Sequence, residues 1–353
     1  MPIIGNLSSG GKKPTTPTIG TATAGNTSAT VAYTASTYTG KGGAVTYTAT
    51  SSPGGFTGTG ASPITVSGLT NGTAYTFTVR TTTSYGVASD NSAASNSVTP
   101  VAPKPIVTGG TLTSDATYYY RVFTSSGTLG ISVAALDCSL ITIAGGGGGS
   151  YLQTAGGGAG GLLYTASATL TGNQTVTIGA GGNYAGNDSS IGAYTAIKGG
   201  NPGVNAADGG NGGSGGGGAV NGGGSSGGAG TSGQGNNGGP GNNLYGGGGG
   251  GAGAAGINRY AGNGTNAYSS WLSAISSVMT GVSGWTTATS GGYITAGGAS
   301  SQSNVPSLGG GGYVTSVNGV TNTGSGGGAN QNTGGGNGGS GLVIVRYLKS
   351  AVN

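Results

Sequence analysis

The chain has 353 residues, of which 88 are glycine, and only 4% carry a charge, against about a quarter in an ordinary globular protein. It has no histidine, no glutamate, one cysteine (Cys138) and five aspartates. That inventory excludes a His–Cys zinc site, a histidine triad, an intrachain disulfide and an acid–base pair drawn from a carboxylate cluster, so neither an enzyme nor a cofactor is expected.

The net charge of +5 reflects scarce acids rather than a basic patch, since Lys12-Lys13 is the only adjacent basic pair. Clustered Lys and Arg are the usual footprint of a nucleic-acid binder, so none is expected as a partner. The opening Met1-Pro2-Ile3-Ile4-Gly5-Asn6-Leu7 has neither the charged start nor the long apolar core of a secretory signal. No stretch approaches the roughly 18 apolar residues of a membrane span. The expectation is a surface protein assembled into a particle inside a cell and released by lysis, without membrane insertion.

Residues 1–13 read either as a frayed terminus or as a docking arm that orders against a larger assembly, with Ile3, Ile4, Leu7, Lys12 and Lys13 as the candidate docking residues. From 14 to 100, short runs of Thr, Val and Tyr alternate with turn residues. Predicted strands are Ala29–Thr34, Val45–Thr48, Ile64–Val66 and Tyr75–Arg80, because β-branched and aromatic residues suit a half-buried pleated surface. The run Ile64-Thr65-Val66-Ser67-Gly68-Leu69-Thr70-Asn71-Gly72-Thr73-Ala74-Tyr75 resembles the E–F region of a fibronectin type III domain. That resemblance implies Leu69 as a core residue and Tyr75 as the corner tyrosine. Tyr33 stands where that family usually carries tryptophan. Residues 101–106, bracketed by Pro100 and containing Pro103 and Pro105, read as a stiff linker.

Residues 107–353 follow another grammar. Tyr118–Thr124, Leu129–Val133 and Leu140–Ala144 read as strands, then Gly145–Gly149 begins a long glycine-rich stretch. Thr175–Gly179 and Leu342–Tyr347 are further strands. Composition alone suggests a flexible coil, yet apolar strands bracket the glycine and charge is nearly absent, unlike solvated disordered chains. Glycine offers a route to order. A polyproline-II backbone has three residues per turn and no internal hydrogen bonds, so its N–H and C=O groups need lateral partners. Without Cβ atoms such helices approach closely enough to bond one another. Glycine must then dominate wherever they are enclosed, while the rim can hold Asn, Ser or Ala.

The series Tyr119–Leu129, Ile141–Gly149, Gly156–Leu162, Thr175–Gly182 and Asn332–Tyr347 resembles, in that order, the glycine-rich domain of phage tail-fibre proteins. The resemblance implies a sandwich whose first and last strands meet, with glycine-rich excursions between them, on a virion surface in contact with a host. The expected fold is all-β: a fibronectin III-like β-sandwich, then a glycine-rich β-sandwich carrying polyglycine-II-type helices and one short α-helix.

That helix is placed by Trp271, Leu272, Ile275, Val278, Met279 and Val282, which recur at helical spacing. Bulky aromatics cluster around it. Tyr245, Tyr260, Tyr268, Trp271, Trp285 and Tyr293 are the candidate receptor-binding residues, since aromatics on a rigid scaffold bring contact area at little entropic cost and stack on sugar faces. The competing reading packs them beneath the helix. Asp188 and Asp208 sit in turns, where aspartate commonly caps its own backbone, and Cys138 reads as a small buried hydrophobe.

These readings converge on a structural protein of a tailed-phage virion: a tail fibre or adhesin, in several copies, joined to other virion proteins by its N-terminal arm. Its expected distal partner is a host glycan or outer-membrane protein. The alternative is a capsid decoration or head-fibre protein anchored by the same arm.

Overall fold

A computed structural model describes residues 12–40, 44–151, 154–220, 224–300, 303, 305–313, 318–330 and 334–353. Ile3, Ile4 and Leu7 lie outside the described residues. The chain forms two compact units, Met1–Pro103 and Lys104–Asn353. The fold is all-β, with antiparallel sheets throughout and two short helices where the sequence suggested one.

The first unit contains β1 (Thr18–Ala24), β2 (Ser28–Thr34), β3 (Val45–Ser52), β4 (Thr57–Thr59), β5 (Ile64–Ser67) and β6 (Thr76–Thr83). Two three-stranded sheets, β1-β2-β5 and β4-β3-β6, enclose one core of Val31, Ala49, Ile64, Val66, Leu69, Tyr75, Phe77 and Val79 among others. The alternation is visible in β6, where Phe77, Val79 and Thr81 point inward at two-residue intervals, as a pleated strand requires.

The edge of β6 is closed by an unusual device. Ser89, Ser92 and Ser95 donate their N–H groups to the carbonyls of Thr81, Val79 and Phe77, at 2.8, 2.9 and 2.9 Å. Their hydroxyls accept the N–H groups of the same three residues, at 2.9, 2.9 and 3.0 Å. A three-residue repeat thus matches the two-residue repeat of a strand, leaving no unpaired strand edge there.

The second unit contains β7 (Ile106–Thr108), β8 (Thr111–Ser114), β9 (Tyr118–Phe123), β10 (Gly127–Ser132), β11 (Leu136–Ile143), β12 (Leu162–Leu170), β13 (Gln174–Thr177), β14 (Ser189–Ile191) and β15 (Tyr194–Ala196). Helices α1 (Ser269–Ala274) and α2 (Trp285–Ala288) and strand β16 (Leu342–Leu348) follow. β7 starts at Ile106, so that residue belongs to the sheet rather than to a linker; it pairs with Ser132.

The sheets run β15-β14-β13-β10-β7 and β12-β11-β16-β9-β8. The last strand, β16, lies between β11 and β9. Its alternation serves two cores. Val343, Val345 and Tyr347 face the inter-sheet core with Leu129, Leu136, Leu140 and Ile191. Leu342 and Ile344 face the opposite side, where Trp271, Leu272, Ile275, Met279 and Trp285 cover them.

Between β11 and β16 the glycine runs form polyglycine-II-type helices bonded sideways. Gly145, Gly146 and Gly147 donate to three different segments, at Asn187, Gly339 and Gly158, each at 2.9 Å. Gly148, Gly149 and Ser150 then return to the same three segments, at Tyr184, Gly336 and Ala155. Each step of three along one helix is a step of three back along its neighbour, as three residues per turn demand. The segment 156–161 keeps the step of three but not always its direction: Gly157 and Gly160 reach back from Gly327 to Gly324, and Gly158 and Gly161 from Gly200 to Ile197, whereas Gly156 and Ala159 reach forward from Gly247 to Gly250.

Enclosure explains the glycine. A Cβ on Gly149 would lie 2.1 Å from the carbonyl oxygen of Gly328, and one on Gly157 2.2 Å from that of Gly147. Glycine dominates the enclosed positions without being universal there. Ala159, Ala299, Ala329 and Ser325 are fully buried, so close approach excludes a Cβ at particular positions and not along whole helices.

Candidate functional site

The five aspartates are dispersed, each accepting from a different group. Asp90 pairs with Lys13, and Asp137 accepts from the Thr169 hydroxyl at 2.6 Å. Asp115 accepts from the backbone N–H groups of Thr117 and Tyr118 and from the Tyr120 hydroxyl. These bonds, the tyrosine's first, hold its carboxyl below the usual range. Asp188 and Asp208 do not cap their own turns. They accept the N–H groups of Lys198 and Ser226, both at least ten residues away, and so tie one glycine segment to another.

Cys138 is buried at the inter-sheet core, and burial pushes its thiol up to about 12. A thiol so raised is a poor nucleophile at neutral pH. Among the described residues no helix is long and apolar enough to cross a membrane.

The six candidate aromatics fall into separate groups. Tyr245 and Tyr260 flank Arg259, whose guanidinium lies 4.7 and 5.5 Å from the two ring centroids. An Asn242 turn holds this group, its side chain accepting the N–H groups of Leu244 and Tyr245. Leu244 and Ile257 beside it are 67% and 58% exposed, which makes this an outward-facing apolar and cationic patch.

Tyr268 and Trp271 belong to a second group. Tyr164 on β12 lies 4.9 Å from Tyr268 and meets Trp271 edge-on at 6.0 Å. Tyr120 also meets Trp271 edge-on, with ring centroids 5.9 Å apart. Arg346 is held 4.2 Å from the Trp271 ring and 4.4 Å from that of Tyr118. Desolvation raises the Tyr268 hydroxyl, with Tyr164 adding to it. Tyr164 is a partner that the sequence reading missed; its place two residues after the inward Leu162 was the available signal.

Trp271 and Trp285 were expected among exposed contact residues, but they are 3% and 4% exposed. The reason is the apolar outer face of β16 and β11, which has to be covered, and the helical segment covers it with its largest side chains. Tyr293 is half-buried, next to the Thr265–Ile294 bridge. The helix itself is shorter than the apolar stripe. α1 ends at Ala274 with no side-chain cap and no charged residue in either end turn, leaving Val278 and Met279 to pack from turns.

At the N-terminus, Lys12 and Lys13 are exposed but held to the first unit: Lys12 lies over the Tyr38 ring, and Lys13 pairs with Asp90.

Residues 122–348 match the family model of the glycine-rich domain. A search of curated proteins finds no match. With well over half of its length covered, the chain belongs to the glycine-rich domain family.

Proposed function

We propose that this chain is a structural protein of a tailed-phage virion, a tail fibre or adhesin that contacts the host surface and does so by binding, without catalysis. The observation that carries the reading is the laterally bonded glycine lattice anchored to β11, β12 and β16. It is a stiff platform from which Tyr260, Leu244 and Ile257 project beside the half-buried Tyr245. Stiffness matters because a pre-organised aromatic surface loses little entropy on binding, and several copies on one particle raise avidity without new contacts.

The first unit suits a fibronectin type III-like spacer. Its tyrosine corner supports this: the Thr70 N–H donates to the Tyr75 hydroxyl at 3.1 Å, just upstream of β6. Residues 1–13 would join the chain to other virion proteins. Scarce charge makes adsorption nearly independent of salt, because there is little electrostatic attraction to screen.

Cryo-electron microscopy of virions carrying the chain tests the reading. Density for residues 104–353 at the far end of a tail appendage supports it. Density rooted in the capsid lattice overturns it in favour of a head-fibre or decoration role.

A further inference from the structure

Asparagine followed by glycine is the sequence most prone to lose its side-chain amide, because glycine leaves the next backbone nitrogen unhindered; asparagine is a thermolabile residue for this reason. Six such pairs lie among the described residues, beginning at Asn71, Asn211, Asn237, Asn263, Asn318 and Asn337. On sequence alone the lattice ought to be chemically short-lived.

Three of the pairs share one arrangement. The Asn211 side-chain oxygen accepts the Ala229 N–H at 2.7 Å, while the Gly212 N–H donates to the carbonyl of the same Ala229 at 3.1 Å. Asn263 and Gly264 hold the N–H and the carbonyl of Leu308 in the same way, at 3.0 and 2.7 Å. Asn318 and Gly319 hold those of Asn337, at 2.9 and 2.8 Å. Asp208 and Gly209 repeat the arrangement on Ser226, so a carboxylate oxygen also serves. Each of these clamps satisfies both backbone groups of one residue in a neighbouring segment. Asn71 and Asn237 are held as well, but their side chain and the following glycine reach two different residues.

A clamp engages the two groups that react. In deamidation the glycine nitrogen bonds to the asparagine side-chain carbonyl carbon and the C–N bond of the amide breaks. Ammonia leaves, carrying the proton that the glycine nitrogen gives up, and water then opens the five-membered ring to aspartate or isoaspartate. While the clamp is closed, that proton is donated to a carbonyl and the side-chain oxygen is held by an N–H, so ring closure has to open both bonds. Asn337 differs. Gly338 donates to the Gly182 carbonyl at 2.8 Å, but the Asn337 side chain is exposed and has no hydrogen-bond partner among the described residues. Only one of its two reacting groups is held.

We propose that Asn337 is the deamidation site of the folded lattice among the described residues, and that the clamps keep Asn211, Asn263 and Asn318 in the amide form. Modification at Asn337 adds a negative charge, and in the isoaspartyl form an extra backbone atom, on the segment that leads into β16.

The test is peptide mapping of the folded full chain after incubation in heavy-oxygen water at mildly alkaline pH. Each site's rate is divided by that of a synthetic peptide with the same local sequence. Opening two hydrogen bonds should slow a clamped site about 5- to 150-fold, and opening one should slow Asn337 about 2- to 12-fold. Ala229→Pro removes the N–H that holds Asn211 and keeps the carbonyl that receives Gly212. It should speed Asn211 about 2- to 12-fold and leave Asn263 and Asn318 unchanged. The comparison within the native chain needs no variant: a clamped site that converts, relative to its peptide, as fast as Asn337 overturns the proposal. So does an Asn211 rate unmoved by Ala229→Pro in a chain that keeps native tryptophan emission.

Discussion

Replacing Gly157 by alanine asks whether the glycine lattice is enclosed as tightly as its geometry states. The new methyl would lie 2.2 Å from the Gly147 carbonyl oxygen and 2.4 Å from that of Gly148. Ordinary contact begins near 3.4 Å, so the 147–148 backbone has to retreat by about 1.2 Å. That backbone is bonded on both sides: the Gly147 N–H donates to Gly158 and its carbonyl accepts from Gly327, at 2.9 and 2.8 Å. A retreat of that size breaks both bonds, and each buried group left unpaired costs about 1–3 kcal/mol. Alanine also restricts the unfolded chain, which returns about 0.4–1 kcal/mol. The net loss is about 1–6 kcal/mol, equivalent to roughly 2–24 °C for a unit of this size.

Both tryptophans, Trp271 and Trp285, lie in the second unit, so thermal unfolding followed by their emission reports that unit alone. The control is Gly127→Ala on β10, where a Cβ would meet only Phe123, at 3.9 Å. Its expected effect is neutral or stabilising by about 0.5 kcal/mol. If Gly157→Ala melts within about 2 °C of the parent, the lattice has slack that the described contacts do not allow, and the enclosure argument fails.

Four further outcomes follow from single groups. Ser92→Ala leaves the buried Val79 N–H without its acceptor and should cost the first unit about 1–3 kcal/mol, read by tyrosine circular dichroism during urea unfolding; an unchanged midpoint would refute the paired-serine edge. Tyr75→Phe removes the acceptor of the Thr70 N–H and should cost about 0.5–1.5 kcal/mol in the same assay. Thr142→Val should stabilise the second unit, because the Thr142 hydroxyl is fully buried with no partner among the described residues, and shedding such a group gains about 1–3 kcal/mol; a lower melting temperature would show that the hydroxyl is satisfied.

The fourth concerns alkali. Burial, followed by the bond to Asp115, pushes the Tyr120 hydroxyl up to about 12 from 10.0. A group raised on folding contributes stability fully below its unfolded pKa and loses it as pH rises through the folded one. Tyr120→Phe should therefore be less stable than the parent at pH 8, with the gap closing as pH rises from 10.0 towards about 12. A gap that stays constant over that interval would contradict the assignment.

Strand segments with strong alternation were legible in the sequence. Ala29–Thr34 lies within β2, Ile64–Val66 within β5, and Leu342–Tyr347 within β16, because their inward positions carry Val, Ile, Leu or Tyr at two-residue spacing. β12 was not read as a strand, since small residues such as Ala166, Ser167 and Ala168 weaken its pattern. The Ser89-Ser92-Ser95 ladder was invisible for a different reason: its period of three carries no hydrophobic signal. The same holds inside the lattice. That glycine would pack laterally followed from its missing Cβ, but nothing in a run of identical residues says which neighbour each faces. At the candidate site the sequence identified the bulky residues and the helical stripe. It did not show that the outer face of β16 would bury Trp271 and Trp285, nor that Arg259 would sit between Tyr245 and Tyr260.

The threefold wiring of the lattice constrains how such a chain can change length. Each residue addresses one of three neighbours according to its place in the turn, as when Gly145 and Gly148 both reach the 184–187 segment. Adding three residues to each arm of a helical hairpin lengthens it by one turn and leaves every residue addressing its former neighbour. Adding one residue rotates everything beyond it by a third of a turn, so that donors point at the wrong strand and methyl-bearing positions swing into sites where only glycine fits. Length variation in such a lattice is therefore quantised in threes within the helices, while the loops that join them are free to vary by any number.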